Sequence, residues 1–541
     1  MAKWKLIVPA LLGGSVVAGG TAAYFYFKGI PAQVGIDPSA SAAIVPDEAL
    51  MTGFVSGDDQ AWSKLKKFGT PEAQALFSKG YEEFIGSLEK SATDQKIDVE
   101  KDVRPWLGSI MVALMPSEKE AEPQSLLVVG IKDKLAALKF ANKMKENAES
   151  TIEEEEYKGI KVLADTKSSS FLGVLENHLL ITNDRKTLEL AIDTSKGDPS
   201  LATQSKGAMA DALKDFNNPV AQVYIPNYSA FFKQFSAASA SPVPPQVLDQ
   251  LDQIESVVVG MGIDDQGLQM RAITAMNPET KQWNYKPIPG KVIAEFPENT
   301  LALVSGSGIS ESWATSVEQL NKVPEFKQGL DQTRQQLRQF TQLDLDKDLL
   351  GWMDGEFALG LIPSKEGLLA DVGFGGALLL ETSDRNTAEK TFGKLDTLAT
   401  KNLLQLKQRD IDSTSVTEWQ IPVQGTLVSH GWLDQDTSFM ALGGPMADIL
   451  VSEPERTLGS SKVFQEATAS FPKENSGYFY LNMEQASGIL ASNPLIAQSG
   501  WLTPETQAIL KSIRAVGATT SQMDNSTLKT DIVMTLQPAS K

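Results

Sequence analysis

The chain has 541 residues, 42% hydrophobic and 22% charged, with 41 Gly and 27 Pro, which is the composition of a folded protein and excludes a wholly disordered, collagen-like or coiled-coil chain. Lys and Arg total 49 against 68 Asp and Glu, a formal charge of −19; a surface this acidic lacks the clustered cations that hold phosphate, so no nucleic-acid partner is expected. There is no Cys and there are only two His, which removes disulfides, thiolate nucleophiles, Cys-ligated metals and most imidazole chemistry.

From Leu6 to Phe27 (LIVPALLGGSVVAGGTAAYFYF) no charge occurs over 22 residues, close to the ~20 that a helix needs to cross the ~30 Å hydrocarbon core. Lys3 and Lys5 precede the run, Trp4 lies between them, and Tyr24 and Tyr26 stand at its far end before Lys28. Basic residues ahead of the span and aromatics at both ends predict a single-pass anchor, with the N-terminus cytoplasmic and the body extracytoplasmic. Gly19, Gly20, Ala22 and Ala23 would suit a signal peptidase, but bulky aromatics follow at once and the run exceeds a signal core, so the span reads as uncleaved. Residues 1–28 are expected to be stub and anchor, and residues 29–45, small and nearly uncharged, a juxtamembrane linker.

From Pro46 a pattern begins that returns later in the chain. Pro46-Asp47-Glu48-Ala49-Leu50 parallels Pro297-Glu298-Asn299-Thr300-Leu301 at an offset of 251, which Trp62 and Trp313 share. Asp98-x-Glu100-x-Asp102 with Trp106 answers Asp344-x-Asp346-x-Asp348 with Trp352 at 246, and Tyr224 answers Tyr480 at 256. Offsets that drift slowly are what insertions and deletions leave in a duplicated chain. The expectation is two copies of one unit, 46–276 and 292–536, joined by the polar linker 277–291 and followed by a tail, 537–541.

Each copy has the same predicted order. A short strand (49–55; 301–305) is followed by a long amphipathic helical stretch (59–88; 313–342). Two apolar strands come next (110–115 and 125–131; 357–362 and 376–381), then a helix N-capped by Asp133 or Asp384. The acidic segment 144–157 reads as a solvated helix end. Further strands follow (159–163, 171–175, 178–182; 416–421, 426–429, 438–442), and each copy closes with a strand near Tyr224 or Tyr480 and a hairpin. Consecutive strands with short turns predict antiparallel pairing and an α+β class.

The apolar span ending in Ala23-Tyr24-Phe25-Tyr26-Phe27-Lys28-Gly29, the Pro46-Asp47-Glu48-Ala49-Leu50-Met51 opening and the Ala61-Trp62-Ser63-Lys64-Leu65 helix together resemble an uncharacterised family of cyanobacterial and algal proteins of similar length, labelled only as a domain of unknown function. The resemblance covers nearly the whole chain. It implies a thylakoid or plasma-membrane anchor with a lumenal or periplasmic body, and it brings no activity, cofactor or site residue.

Chemical motifs are sparse. Ser63-Lys64-Leu65-Lys66 fits Ser-x-x-Lys but has no Lys-Thr-Gly or Ser-Asp-Asn partner, and no Gly-x-Ser-x-Gly elbow occurs. His178 and His430 read as polar turn residues. Gly260-Met261-Gly262 and Gly373-Phe374-Gly375-Gly376 run into strands rather than helices, against nucleotide binding. The acidic triplets Asp98, Glu100, Asp102 and Asp344, Asp346, Asp348 place three carboxylates at alternate positions and are candidates for a hard cation such as calcium. A calcium loop also needs Gly sixth and Glu twelfth, where this chain has Val103 and Ser109, or Leu349 and Gly355. The preferred reading is therefore turn caps with Trp106 and Trp352 buried behind, and no metal, cofactor or catalytic residue is assigned. The expected function is a membrane-tethered, non-enzymatic extracytoplasmic protein that binds or helps assemble a protein partner in its own membrane. The alternatives are a carrier or sensor with an apolar pocket for a lipid or pigment and a hydrolase with two carboxylates in a deep cleft.

Overall fold

Apolar runs of five to ten residues pair into antiparallel ladders throughout the computed structural model, which describes residues 37–76, 98–116, 123–147, 152–165, 170–237, 251–278, 286–452, 454–492 and 503–539. The chain divides into two compact units with the main boundary at Gln282 and Trp283, and the short stretch Met523–Lys529 groups with the first. The class is α+β, with sheets and helices mixed in each unit. The anchor expected from Leu6 to Phe27 lies outside the described residues. Among those described, no helix is long and apolar enough to cross a membrane.

The first unit contains β1 (Met51–Ser56), β2 (Leu107–Met115), β3 (Gln124–Ile131), β4 (Ile152–Tyr157), β5 (Ile160–Asp165), β6 (Ser170–Leu175), β7 (His178–Thr182), β8 (Pro219–Ile225), β9 (Ile254–Ile263) and β10 (Gly267–Met276). Their pairing gives the order β4-β5-β6-β7-β3-β2-β1-β8-β9-β10. β2 and β3 are apolar at nearly every position because both faces of the sheet are covered there, as expected of strands buried on two sides. One face packs Phe54, Met111, Val128 and Leu180 with Leu188 and Ile192, both on helix α2 (Arg185–Ser195). The other packs Trp106, Leu127 and Ile181 with Ala137 and Phe140 of helix α1 (Lys134–Asn147).

The second unit contains β11 (Ala302–Ser307), β12 (Glu356–Pro363), β13 (Phe374–Glu381), β14 (Gln405–Ile411), β15 (Thr414–Ile421), β16 (Gly425–Trp432), β17 (Thr437–Leu442), β18 (Phe479–Asn482), β19 (Ile513–Asp524) and β20 (Thr527–Leu536). They pair in the order β14-β15-β16-β17-β13-β12-β11-β18-β19-β20, the same sequence of neighbours as in the first unit. One face buries Phe296, Leu303, Phe439 and Tyr480. Phe296 lies so close to the sheet that a Cβ on Gly360 would sit 2.2 Å from its ring, which is why β12 has a glycine there. Part of the other face is covered by Ala388 and Phe392 of helix α5 (Arg385–Lys401). Matching details recur at the start of each unit. Pro46 bridges Ser200 and Pro297 bridges Thr457. The Leu50 N–H donates to Leu114 O and the Leu301 N–H to Leu361 O, each at 2.8 Å.

Several expectations need correction. The linker expected over 29–45 does not extend to Val45. Asp37 caps a short helix, Pro38–Ala42, and Ala42, Ile44 and Val45 enter the core of the first unit, because these small apolar side chains fill the space beside β3. The linker expected over 277–291 also ends early, since Ile288 is buried in the second unit's core. The long helical stretches are broken. In the first unit a helix, Asp59–Ser63, and a tight turn, Lys64–Lys67, give way at Phe68 and Gly69; the continuation over 77–88 lies outside the described residues. In the second unit the stretch is two helices, α3 (Ile309–Leu320) and α4 (Pro324–Thr341), because Pro324 cannot continue a helix but suits the first turn of a new one.

The acidic segment also differs from its reading. Ile152–Tyr157 is a strand, β4, turned back at Lys158-Gly159 into β5. Lys158 has φ 47° and Gly159 φ 79°, the left-handed pair a two-residue hairpin turn requires. Both β4 and β14 are outermost in their orders, and their side chains are largely charged or polar and exposed.

Candidate functional site

The two acidic triplets adopt one geometry. In the first unit Asp98 opens a wide helical turn, Val99–Val103, and its Oδ1 accepts the Lys101 N–H at 3.0 Å. Asp102 Oδ2 reaches back to the Asp98 N–H at 2.9 Å and takes the Lys143 ammonium. Glu100 pairs with Arg104 at 2.6 Å. In the second unit Asp344 Oδ1 accepts the N–H groups of Asp346 and Lys347 at 3.0 and 3.1 Å, and Asp348 Oδ2 accepts the Asp344 N–H at 2.8 Å. Asp348 also holds Lys394 at 2.8 Å, Asp344 holds Arg338 at 2.7 Å and Asp346 holds Arg334 at 2.8 Å.

Behind each turn a buried Trp is pinned by its indole N–H. Trp106 donates to Asp102 O at 2.8 Å and Trp352 to Asp348 O at 3.0 Å. Trp106 then packs on Phe140 and Trp352 on Phe392, with ring centroids 5.5 and 5.9 Å apart. The earlier Trp pair, Trp62 and Trp313, follows the first strand in each unit but is held differently. Trp62 donates to Ser56 O, and Trp313 donates to Asp346 Oδ1 at 2.7 Å.

Asp98 takes the Lys101 ammonium at 2.9 Å, so each carboxylate of a triplet has a cation, and the outer two in each also take backbone N–H groups, so the oxygens diverge instead of lining one cage. The Arg334 guanidinium, and then the Trp313 indole, hold the Asp346 carboxyl below the usual carboxylate range. The Asp344 N–H and Lys394 do the same for Asp348. Among the described residues no three His, Asp or Glu side chains are grouped to hold a metal ion.

Neither histidine is a turn residue. His178 opens β7 and is 3% exposed; its Nε2 lies 3.3 Å from Ser41 Oγ, while Nδ1 has no partner. Burial pushes its pKa down to about 4. His430 lies within β16, its Nε2 2.8 Å from Asp396 Oδ1, an oxygen that also accepts the Trp419 indole N–H at 2.7 Å. Its ring stacks on Phe392 at 4.8 Å. This is a His–Asp pair under aromatic cover, with no nucleophile hydrogen-bonded to it. Ser63 donates its hydroxyl to Gln60 O at 2.8 Å on an exposed helix, which leaves it unactivated. A shallow depression on α4, lined by Asp331, Arg334, Gln335, Arg338 and Gln339, is polar and open.

One surface was not singled out from the sequence. On the second unit's sheet, beside the part covered by α5, Leu359, Val304 and Phe479 stand opposite one another across β12, β11 and β18. They are 50%, 44% and 44% exposed. The next row on the same face is Leu361, Ala302 and Leu481, all partly exposed. None of the six carries a polar group. The signal was in Phe357-Ala358-Leu359-Gly360-Leu361-Ile362, where an antiparallel strand with one solvated face should alternate with polar residues and does not. The first unit has a smaller counterpart in Val55 and Val223, 48% and 40% exposed.

A family model described as "Protein of unknown function (DUF3352)" matches residues 10–536. No curated protein matches the chain. Solved structures of TP0453 are weakly similar. Crystal form IV has 9% identity and a TM-score of 0.25 over 45% of this chain and 82% of its own, and crystal form I has 8% and 0.24 over 44% and 80%.

Proposed function

The chain belongs to that family of unknown function, and from that premise we propose that it is a membrane-tethered, extracytoplasmic binding protein without catalysis. It engages an apolar component of its own membrane, as a scaffold does, through the open face of its sheet. The observation that carries this reading is the uncharged surface around Leu359, Val304 and Phe479. Soluble proteins seldom leave contiguous apolar surface uncovered without a use for it. Among the described residues, each unit packs buried apolar side chains into a core on one side of its sheet, and the uncharged face lies outside that core. The run from Leu6 to Phe27 supports the tether. The shared strand order, the twin Trp–carbonyl contacts and the paired Pro bridges support descent of the two units from one duplicated ancestor.

The test places a photo-crosslinking amino acid at Val304 of the full-length protein in native membranes. An adduct with a membrane component is expected. Irradiation that yields no adduct at this position, while a crosslinker within the span reacts, would overturn the binding reading.

A further inference from the structure

Resting on that binding reading, we infer that the open face of the second unit's sheet accepts the acyl chain of a membrane lipid. Three properties of the face select this occupant. First, β12, β11 and β18 are interior strands, each hydrogen-bonded on both sides. The backbone therefore offers no unpaired N–H or C=O, and a peptide cannot add as a further strand. Second, the two rows Leu359–Val304–Phe479 and Leu361–Ala302–Leu481 contain no charge, hydroxyl or amide, so the surface discriminates only by excluding polar groups. Hydrocarbon is the chemistry that gains most there and loses no hydrogen bonds on leaving water.

Third, the size fits. The same two rows run on through Ala518 and Val516 of β19 on one side, while on the other Leu378 and Met440 pack against the cluster under α5 and bound the face. Four strands at ~4.8 Å and two same-face rows ~7 Å apart make a band of roughly 19 by 14 Å. That is below half of the ~800 Å² per partner that a stable protein interface buries, which disfavours a second copy or a globular partner as the occupant. It is longer than one leaflet, half of the ~30 Å hydrocarbon core, and so takes a whole chain lying across the strands. Each row crosses the four strands at right angles to their direction, and the furrow between rows gives an extended chain continuous contact.

The experiment reconstitutes the full chain in phosphatidylcholine vesicles that contain phosphatidylcholine with a photoactivatable group on its acyl chain. After irradiation and proteolysis, labelled peptides are mapped. Label is expected on the peptides of β11, β12 and β18 as well as on the span. Val304→Asp and Leu359→Asp change exposed positions and should each lower the sheet label at least tenfold while leaving the span label unchanged; Leu359→Asn, uncharged, should lower it less. Circular dichroism and melting confirm that each variant is folded. Label confined to the span, or sheet label indifferent to all three changes, overturns the inference. The native-membrane crosslink from position 304 separates this outcome from the broader one. An adduct there with a protein, or with a second copy of the chain, keeps the binding reading and overturns the lipid. An adduct with a lipid supports both.

Discussion

Asp102 and Asp348 close the same loop of interactions, each accepting the N–H four residues earlier and each holding a lysine from a helix. Replacing either with Ala removes a cap and a partly exposed ion pair, and is expected to cost about 0.5–2 kcal/mol. Thermal melts should give the same loss with calcium or with chelator. A calcium-dependent shift of the native protein that disappears in Asp344→Ala would contradict the cap geometry. Because the folded pKa of Asp348 is lowered, its contribution is full above the unfolded value of 3.8 and is lost as pH falls through the lower, folded one. His178 acts in the same direction over a higher range. Buried neutral with a pKa near 4 against 6.5 unfolded, it binds its proton more readily in the unfolded chain, so stability is full above pH 6.5 and declines as pH falls towards 4. The total is about 3 kcal/mol. His178→Gln should flatten that limb of a denaturant-midpoint profile between pH 7 and 4, and an unchanged limb would assign the decline elsewhere. The caps were legible in the sequence because their residue spacing is local. His178 was not, because Glu176 and Asn177 do form a turn, and only pairing with β3 shows that the next residue points inward.

At the level of elements, α4 shows how a helix can dock with little apolar burial. Among its 18 residues only Leu330 is buried; the rest of its attachment to the turn at Asp344 to Leu349 is ionic, through Arg334 and Arg338. Arg334→Gln combined with Arg338→Gln should speed amide exchange across Ile309–Thr341 several-fold and leave β11 and β12 unchanged. Equal protection in the variant would mean that packing, not charge, holds the helix. Strands were legible wherever both faces are apolar, as in β2, β3, β12 and β13, and their ends shifted by only one to three residues. The glutamate strand β4 was not, because single-residue preference places Glu in helices and depletes it from strands. The ladder with β5 overrides that preference, together with pairing of Glu154 to Lys161 and Glu155 to Arg185. The open face escaped detection because a run of apolar residues does not say which of its two faces will be covered.

For the molecule as a whole, the recurring motifs of the sequence lie at similar places in two units with one strand order, while the partners of Trp62 and Trp313 differ. Long-range pairing of this kind follows from apolar pattern and turn position together, which is why the order of elements could be read and the side-chain partners could not. The proposed topology has a direct check. Protease added to right-side-out vesicles, or to membranes with the lumenal face exposed, should degrade the body and leave a fragment that retains the sequence from Leu6 to Phe27. Full protection there, or a mature N-terminus beginning after Ala23, would contradict the tether.

The outermost strands decide whether such molecules can live side by side. At the high effective concentration that the proposed tether would impose, any two bare sheet margins could zip together and grow laterally into a ribbon. Glu153, Glu154 and Glu156 on β4, all exposed, make such a meeting electrostatically unfavourable for like margins. Replacing all three with Thr, a strand former without charge, should turn a monodisperse preparation into one whose light scattering rises with concentration; unchanged scattering would show that something other than charge keeps the margins apart. Acidity among crowded neighbours then has a use besides solubility: it keeps each sheet finite.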